Sequence, residues 1–247
     1  FSFGNNIGIK YALERGYDYV LLLNNDTTVA TDFLEHLVCS GEEQKTVGCV
    51  TGKGFYYDRP NTLHMCGGEI DRFKITYRRH GADQIDLGQR DHNRFVSFAS
   101  CYFVLVKSSV FREIGLLSEK YFGGTEEVDF MHRLSLTRWG VYYNYKSKIW
   151  HKIGGSFKSG QRKSTYNAIR NKIQFARDNF GIFKRFLWVA AYFIYCITFH
   201  LPKRLYIEKS RGQAIKWSAI LVVTVNAFKD GLLKDKVTHA DYIKFVD

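Results

Sequence analysis

The chain has 247 residues, 45% of them hydrophobic, which is enough for a sizeable core and excludes a disordered protein. Its five cysteines are widely spaced without a CxxC pair, which argues against a disulfide framework or a zinc site. The formal net charge is +12, and residues 146–216 hold 16 Lys and Arg against two acids. This basic segment predicts a large anionic partner, either nucleic acid or an anionic membrane surface.

Helix and strand patterns alternate at the start of the chain. Apolar spacing predicts a helix over 5–15, and the continuous apolar run Tyr19–Leu23 predicts a strand buried on both faces. A helix capped by Thr31 or Asp32 and a strand over 47–57 follow. This alternation predicts a doubly wound α/β architecture.

The rest of the first 180 residues continues that pattern after a polar, glycine-dotted stretch over 60–95, which predicts hairpins and loops. The predicted elements that follow are a strand over 95–107, helices over 108–114 and 127–139, a strand over 139–145 and a helix over 165–180.

Two apolar runs mark the C-terminal region, at 186–199 and 217–228, and basic pairs flank the first. At about 14 residues the first run is shorter than the roughly 20 that a membrane-crossing helix needs. Interfacial or re-entrant helices are therefore predicted, and a buried helical hairpin is the alternative.

A polar triplet, Asn24-Asn25-Asp26, follows the first buried strand. Ligands of open α/β sheets bind beyond the carboxyl ends of strands, where a carboxylate can hold Mg²⁺ or Mn²⁺ together with substrate phosphates. The alternative is an Asx-turn, in which these side chains only bond the following backbone.

An acidic cluster, Glu126, Glu127 and Asp129, follows the glycine pair 123–124. Crowded carboxylates raise one another's pKa, which suits a general base. The alternative is a helix start, where the helix dipole favours acids.

Further along, His151 precedes a Gly-Gly-Ser loop suited to phosphate contact, and Arg170 lies on a predicted basic helix. A structural histidine and a solvated helix face are the alternatives.

Taken in order, FGNNIGI, GYDYVLLLNND, CGGEID, EEVD, WHKIGGS and TYNAIRNKIQF resemble family 2 glycosyltransferases of the rhamnosyltransferase-like kind, over essentially the whole chain. The resemblance implies a GT-A fold, which is Rossmann-like, with a mixed, mostly parallel sheet flanked by helices. It implies a glycosyltransferase domain over 1–180 and a C-terminal helical, membrane-associated extension over 181–247. The family's first strand and turn are absent, so it also implies a longer gene product.

The resemblance further implies a donor site at the start of the chain. Asp26 is expected to bind a divalent cation, Mg²⁺ or Mn²⁺, that bridges the diphosphate of a UDP- or dTDP-linked sugar. Asn24 occupies the other variable position of this metal motif, and His151 is expected to face the diphosphate or its metal. Asn5 and Asn6 are expected to begin the donor pocket.

The acidic cluster takes the catalytic role in this resemblance. Glu127 is expected to be the base, in place of the family's usual Asp, with Glu126 and Asp129 as neighbouring catalytic acids. Further substrate contacts are expected from Ser100, Arg133 and Arg170. One base suffices for an inverting transfer.

The implied acceptor is a lipid-linked or cell-surface glycan, and the implied location is peripheral, at the cytoplasmic face of the cell membrane. An inactive sugar- or membrane-binding remnant of such an enzyme is the alternative. Nucleic-acid binding is not expected, because the basic residues flank apolar runs instead of forming a solvated platform.

Overall fold

The computed structural model describes residues 1–152, 161–210 and 217–236, so the predicted phosphate-binding loop at 154–156 lies outside the described residues. The helices and strands follow in chain order: α1 (Ser2–Glu14), β1 (Tyr19–Leu23), β2 (Thr27–Val29), α2 (Phe33–Glu43), β3 (Val47–Tyr56), β4 (Leu63–Cys66), β5 (Gly68–Asp71), β6 (Thr76–Arg79), β7 (Arg94–Val96), β8 (Phe103–Lys107), α3 (Ser108–Ile114), α4 (Glu126–Leu134), β9 (Gly140–His151), α5 (Gln161–Asn179), α6 (Ile182–Tyr195), α7 (Leu201–Ser210) and α8 (Trp217–Leu233).

A mixed sheet flanked by helices forms the core and confirms the α/β prediction. Within the described residues it has seven strands, with β1-β8-β3-β9-β2 as the main order, β4 beside β3, and β7 beside β9. β5 and β6 form a separate hairpin. The central strand β3 is buried along nearly its whole length.

The prediction of a mostly parallel sheet is wrong. Among the strands that the structure describes, only β3 and β9 pair in parallel, whereas β1–β8, β3–β8 and β2–β9 are antiparallel. The apolar run of β1 does not distinguish the two kinds of pair. The prediction that β1 is buried on both faces is also wrong, because β1 is an edge strand in which only Leu22 is fully buried. The connections decide the direction here, because β8 returns to the sheet after the hairpin region and not through a helical crossover.

The apolar stretch predicted as one strand over 95–107 is two strands. β7 pairs with β9, whereas β8 pairs with β1 and β3. Because β3 lies between β8 and β9, the chain must pass across β3 between these pairings. The connecting segment, residues 97–102, makes that crossing, and the site described below is built on it.

The contacts divide the chain into two compact units, Phe1–Ser118 with Glu126–Lys158, and Glu119–Thr125 with Ser159–Asp247. α5 therefore groups with the C-terminal helices, although the predicted boundary lay at residue 180. The reason is a close approach between α5 and α8, since a Cβ at Gly231 would lie 2.8 Å from the Arg170 carbonyl oxygen. The functions assigned to the two predicted domains stay predictions.

The two C-terminal apolar runs differ in their surroundings. α6, the π-helical turn Cys196–His200 and α7 continue one another, and Ile182–Tyr206 is one 25-residue helical run, long and apolar enough to cross a membrane by length and composition. The length expected from the sequence was too short, because the helix continues past the apolar stretch. Most of this run is exposed, which argues against a buried hairpin, whereas α8 packs inward through Ile220, Val223 and Ala227.

A buried ion-pair cluster fixes the loop between β6 and β7 to the sheet. Lys53 of β3 is 1% exposed, and its Nζ lies 2.8 Å from Asp86 and also contacts Asp91. These two acids come from one loop, so a single ammonium anchors both ends of residues 86–91.

Removing both acids should destabilise the fold more than removing the lysine. Asp86→Asn with Asp91→Asn leaves a buried ammonium without an acid, and we expect a loss of about 3–5 kcal/mol in the free energy of unfolding. Lys53→Met should cost less, because Asp86 and Asp91 are 17% and 44% exposed and regain water. Urea unfolding measures both, and an equal or larger loss for Lys53→Met would contradict this view of the cluster.

Candidate active site

The turn between β1 and β2 carries the predicted metal motif and is held on both sides by backbone hydrogen bonds. The Asn24 N–H donates to the Tyr102 carbonyl at 3.0 Å, and the Lys152 N–H donates to the Asp26 carbonyl at 2.8 Å. Thr27 Oγ1 also donates to the Asn24 carbonyl, at 2.7 Å. These hydrogen bonds hold the turn against the residue before β8 on one side and the residue after β9 on the other.

His151 comes to this turn through strand pairing. The end of β9 pairs with β2, with Thr27 opposite His151, so Asp26 and His151, 125 positions apart in the chain, become neighbours. His151 Nε2 lies 3.1 Å from Asp26 Oδ1 and 3.2 Å from Asn24 Nδ2. The three residues predicted for the metal motif therefore meet at one nitrogen.

The geometry of this pair is compatible with a divalent cation. Neighbouring ligands in an octahedral shell with bonds of about 2.1 Å are about 3 Å apart, which is the separation of Asp26 Oδ1 and His151 Nε2. Over the described ranges, no group of three or more His, Cys, Asp or Glu side chains could hold a metal. Such a cation would thus take its other ligands from substrate phosphates and water, as Mg²⁺ usually does.

The Asx-turn alternative is not what the structure contains. In the part of the chain that is described, the Asp26 carboxylate makes its side-chain contact with His151 and none with the backbone that follows it. Only the Thr27 hydroxyl makes a local turn bond.

Aromatic rings surround His151. The Tyr102 ring lies flat against it, with centroids 4.8 Å apart at an 8° interplanar angle, and the His64 ring lies 5.7 Å away. Burial lowers the pKa of His64 to about 4, with the charge of Arg79 adding to the effect, so His64 is neutral at pH 7. The sequence analysis missed both residues, because no local pattern marks them and only the β3–β4 pairing brings His64 here.

Glu127 lies at the start of α4 and accepts two hydrogen bonds on one oxygen. Ser100 Oγ donates to Oε1 at 2.6 Å, and the Cys101 N–H donates to the same atom at 2.7 Å. Within the described chain, Oε2 makes no hydrogen bond. The carboxylate thus has one oxygen fixed by the protein and one available to a ligand.

The pKa of Glu127 is raised to about 7. Burial is the main cause and the charge of Glu126 adds to it, whereas the bonds from Ser100 and Cys101 oppose it. A carboxylate that titrates near neutrality is suited to accept a proton.

Residues 100–102 join the two parts of this site. Ser100 and Cys101 hold Glu127, and the next residue, Tyr102, stacks on His151 and accepts the Asn24 N–H. The charge of Glu127 also contributes, after burial, to raising the pKa of Tyr102.

Several predicted site residues have packing contacts instead. Asn6 is buried and exchanges two hydrogen bonds with the Leu117 backbone, at 2.9 and 3.1 Å, while Asn5 bonds the Phe1 carbonyl on its own helix. Their place in a donor pocket stays a prediction.

The Asp129–Arg133 pair links α4 to the turn after α3. Arg133 Nε donates to Asp129 Oδ2 at 2.9 Å, and its Nη2 donates to the Leu116 carbonyl at 2.8 Å. These contacts support a role in positioning the helix that carries Glu127, and substrate contact by either residue stays a prediction.

Arg170 makes structural hydrogen bonds within the second unit. Its side chain is 1% exposed and donates to the carbonyls of Lys120 at 2.7 Å and Asp235 at 3.2 Å. These contacts hold two chain segments to α5 and do not support the predicted substrate role.

Comparison with known proteins gives a fold and no family. No family model and no curated protein matches the sequence. The crystal structure of GalNAc-T7 with UDP, GalNAc and Mn²⁺ is similar with a TM-score of 0.52 and 12% identity, over 93% of this chain and 42% of that one. A197 from STIV matches with a TM-score of 0.42 and 14% identity, over 62% of this chain and 68% of that one.

The likeness to GalNAc-T7 supports a GT-A-like glycosyltransferase fold for this chain. The chain spans less than half the length of that protein. The neighbour is a glycosyltransferase whose structure contains a nucleotide, a sugar and a divalent cation.

The raised pKa of Glu127 predicts a pH-dependent stability difference for Glu127→Gln. The folded protein retains a proton that the unfolded chain releases above pH 4.5, so wild-type stability falls as pH rises from about 4.5 to 7. Gln lacks this titration and keeps both hydrogen bonds, because both go to Oε1. Between about pH 4.5 and 7, we expect the free energy of unfolding of the variant to rise by about 1–3 kcal/mol relative to that of the wild type.

Denaturant unfolding at pH 4.5, 6 and 8 measures this difference. Glu35→Gln, on an exposed side chain of α2, is the matched control and should show no such trend. A pH-independent difference for Glu127→Gln would contradict the raised pKa.

Proposed function

We propose that this chain is an inverting, divalent-cation-dependent glycosyltransferase that moves a sugar from a nucleotide-diphosphate donor to a lipid-linked or cell-surface glycan. The observation that carries the proposal is the joining of a base titrating near pH 7 to an Asp–His pair through residues 100–102. The GT-A-like fold supports the same class of reaction.

Asp26 and His151 would hold the cation, which when bound supplies positive charge to the leaving diphosphate. The 3.1 Å between their ligand atoms supports this assignment. The stacked Tyr102 ring excludes water from one face of His151.

Glu127 would act as the base. Its free Oε2 accepts the proton of the acceptor hydroxyl while the hydroxyl oxygen forms a bond to the anomeric carbon. The bond between that carbon and the diphosphate oxygen breaks, and its electron pair leaves with the diphosphate. Attack from the face opposite the leaving group inverts the configuration, so one base is sufficient.

The key test is sugar transfer or donor hydrolysis by the chain with Mn²⁺ or Mg²⁺, screened over UDP- and dTDP-linked sugars. Asp26→Asn and Glu127→Gln should each lower kcat/KM by at least about 100-fold, because they remove a ligand of the leaving-group cation and the base. The wild-type rate should rise with pH through about 7.

Asp58→Asn and Glu35→Gln change exposed acids of the same types and are the controls. Wild-type turnover in both site variants would refute the assignment. Absence of turnover by the wild type with every donor would favour the inactive remnant.

We also propose that the chain works at the cytoplasmic face of an anionic membrane, through the exposed run Ile182–Tyr206 and the nearby basic residues. Phe183 and Phe186 are 74% and 71% exposed on α6. Aromatic insertion together with about 1 kcal/mol per basic residue near anionic lipid would retain the protein there.

Sedimentation with vesicles that contain phosphatidylglycerol tests the membrane proposal. We expect the chain to pellet with these vesicles, less with neutral ones, and to be partly released by high salt. Phe183→Glu with Phe186→Glu should reduce pelleting at least tenfold. Leu136→Glu, at an equally exposed apolar side chain of the other unit, should not, and equal pelleting by all variants would refute the proposal.

A further inference from the structure

A second cleft, outside the site described above, is rich in cationic side chains. It has a volume of ≈ 610 Å³ and is lined by residues of β5, β6, β7 and the loop before β7. Five basic side chains line it, and it is here called the arginine cleft: Arg78, Arg90, Arg94, His80 and His92.

The positive charge in the arginine cleft exceeds the negative charge. Arg78 donates to Glu69 at 2.5 Å, which neutralises one guanidinium. Arg94 contacts His92 Nε2 at 2.9 Å and the Cys66 carbonyl at 3.2 Å, and neither is an acid. In the described chain, no carboxylate pairs with Arg90 or Arg94.

The backbone of Arg90 is held in place, whereas its side-chain Nε lacks a hydrogen-bond partner among the described residues. Asp86 and Asp91 flank it in sequence and both pair with the buried Lys53, while the Tyr143 hydroxyl donates to the Arg90 carbonyl at 3.2 Å. The Nε of Arg90 is buried and has no hydrogen-bond partner among the described residues. The loop thus holds a guanidinium in position without supplying the acceptor that it needs.

Arg94 and His80 line the rest of the cleft. Arg94 lies 4.7 Å over the Tyr143 ring, which orients its planar group. Burial lowers the pKa of His80, and the charges of Arg94 and Arg90 also lower it. Arg90 and Arg94 have no carboxylate partner among the described residues. A guanidinium pairs best with two oxygens of one anionic group, so these side chains favour a phosphate or a carboxylate.

A neighbouring cleft of ≈ 780 Å³ continues from the arginine cleft along β5, against which α4, the helix that carries Glu127, packs. It shares Glu69, Arg78 and Ser97 with the arginine cleft and extends along the β5–β6 hairpin to Tyr77. Burial raises the pKa of Tyr77 to about 12, and the charge of Glu127 is the next cause. The Tyr77 ring lies flat on Phe98, 3.9 Å away, and forms an aromatic platform in this neighbouring cleft.

We propose that the arginine cleft binds an oxyanion, a phosphate or a carboxylate, carried by the acceptor, whose sugar lies along the β5–β6 hairpin beside Tyr77. The identification of the ligand as the acceptor rests on the proposed function, whereas the binding of an oxyanion does not. The acceptor class is thereby narrowed to a negatively charged glycan or glycolipid.

Calorimetry on the metal-free chain in EDTA tests the site without any turnover. The probes are pyrophosphate, glucose 6-phosphate and glucuronate, with neutral glucose for comparison. We expect the anionic sugars to bind at least tenfold more tightly than glucose. Arg90→Gln and Arg94→Gln should each weaken pyrophosphate and sugar-phosphate binding at least tenfold, and Arg90→Lys should weaken it less, because it keeps the charge and loses the fork.

Arg112→Gln removes the same charge from an exposed position on α3 and is the matched control. Thermal unfolding establishes that each variant is folded. Equal losses in Arg90→Gln and Arg112→Gln, or glucose binding as tightly as glucose 6-phosphate, would overturn the proposal. Tighter binding of glucose 6-phosphate than of glucuronate assigns the group to a phosphate, and the reverse to a carboxylate. Failure of sugar transfer would refute the proposed function and would leave this metal-free result unchanged.

Discussion

Residues 100–102 are the constraint on which the candidate site depends. Their position follows from topology, because the chain must cross β3 between its pairing with β9 and its pairing with β1 and β3. On this crossing the buried Cys101 N–H and Ser100 hydroxyl both donate to Glu127. The same crossing sets the Tyr102 ring against His151. A base and an Asp–His pair are therefore coupled through three consecutive residues.

The electrostatics of the site come from burial more than from charge pairing. Glu127 has its pKa raised first by burial and only then by Glu126, and two hydrogen bonds keep that pKa near 7. His64 is held neutral by burial beside the ring of His151. Next to these buried groups, His151 Nε2 lies 3.1 Å from Asp26 Oδ1 and 3.2 Å from Asn24 Nδ2.

In the loop between β6 and β7, the acids pair with the buried Lys53, and the Arg90 side chain between them has no acid partner among the described residues. Lys53 uses both neighbouring acids of Arg90 and so removes them as partners for that guanidinium. The β5–β6 hairpin lines both the arginine cleft and the neighbouring cleft that contains Tyr77.

The sequence by itself determined the strand Tyr19–Leu23, the polar turn after it, the helix that begins at the acidic cluster and the α/β class, because local apolar periodicity and caps specify them. The resemblance named Asp26, Asn24 and His151, which contact one another, and Glu127 and Ser100, which form a separate hydrogen-bonded pair. Tertiary structure alone decided the strand directions, the break between β7 and β8, and the presence of His64 and Tyr102 in the pocket. It also decided that Asn6, Arg133 and Arg170 each donate to a backbone carbonyl of another chain segment. The local sequence pattern indicates whether a side chain is buried. Pairing between strands that are distant in the chain decides which buried side chains contact one another.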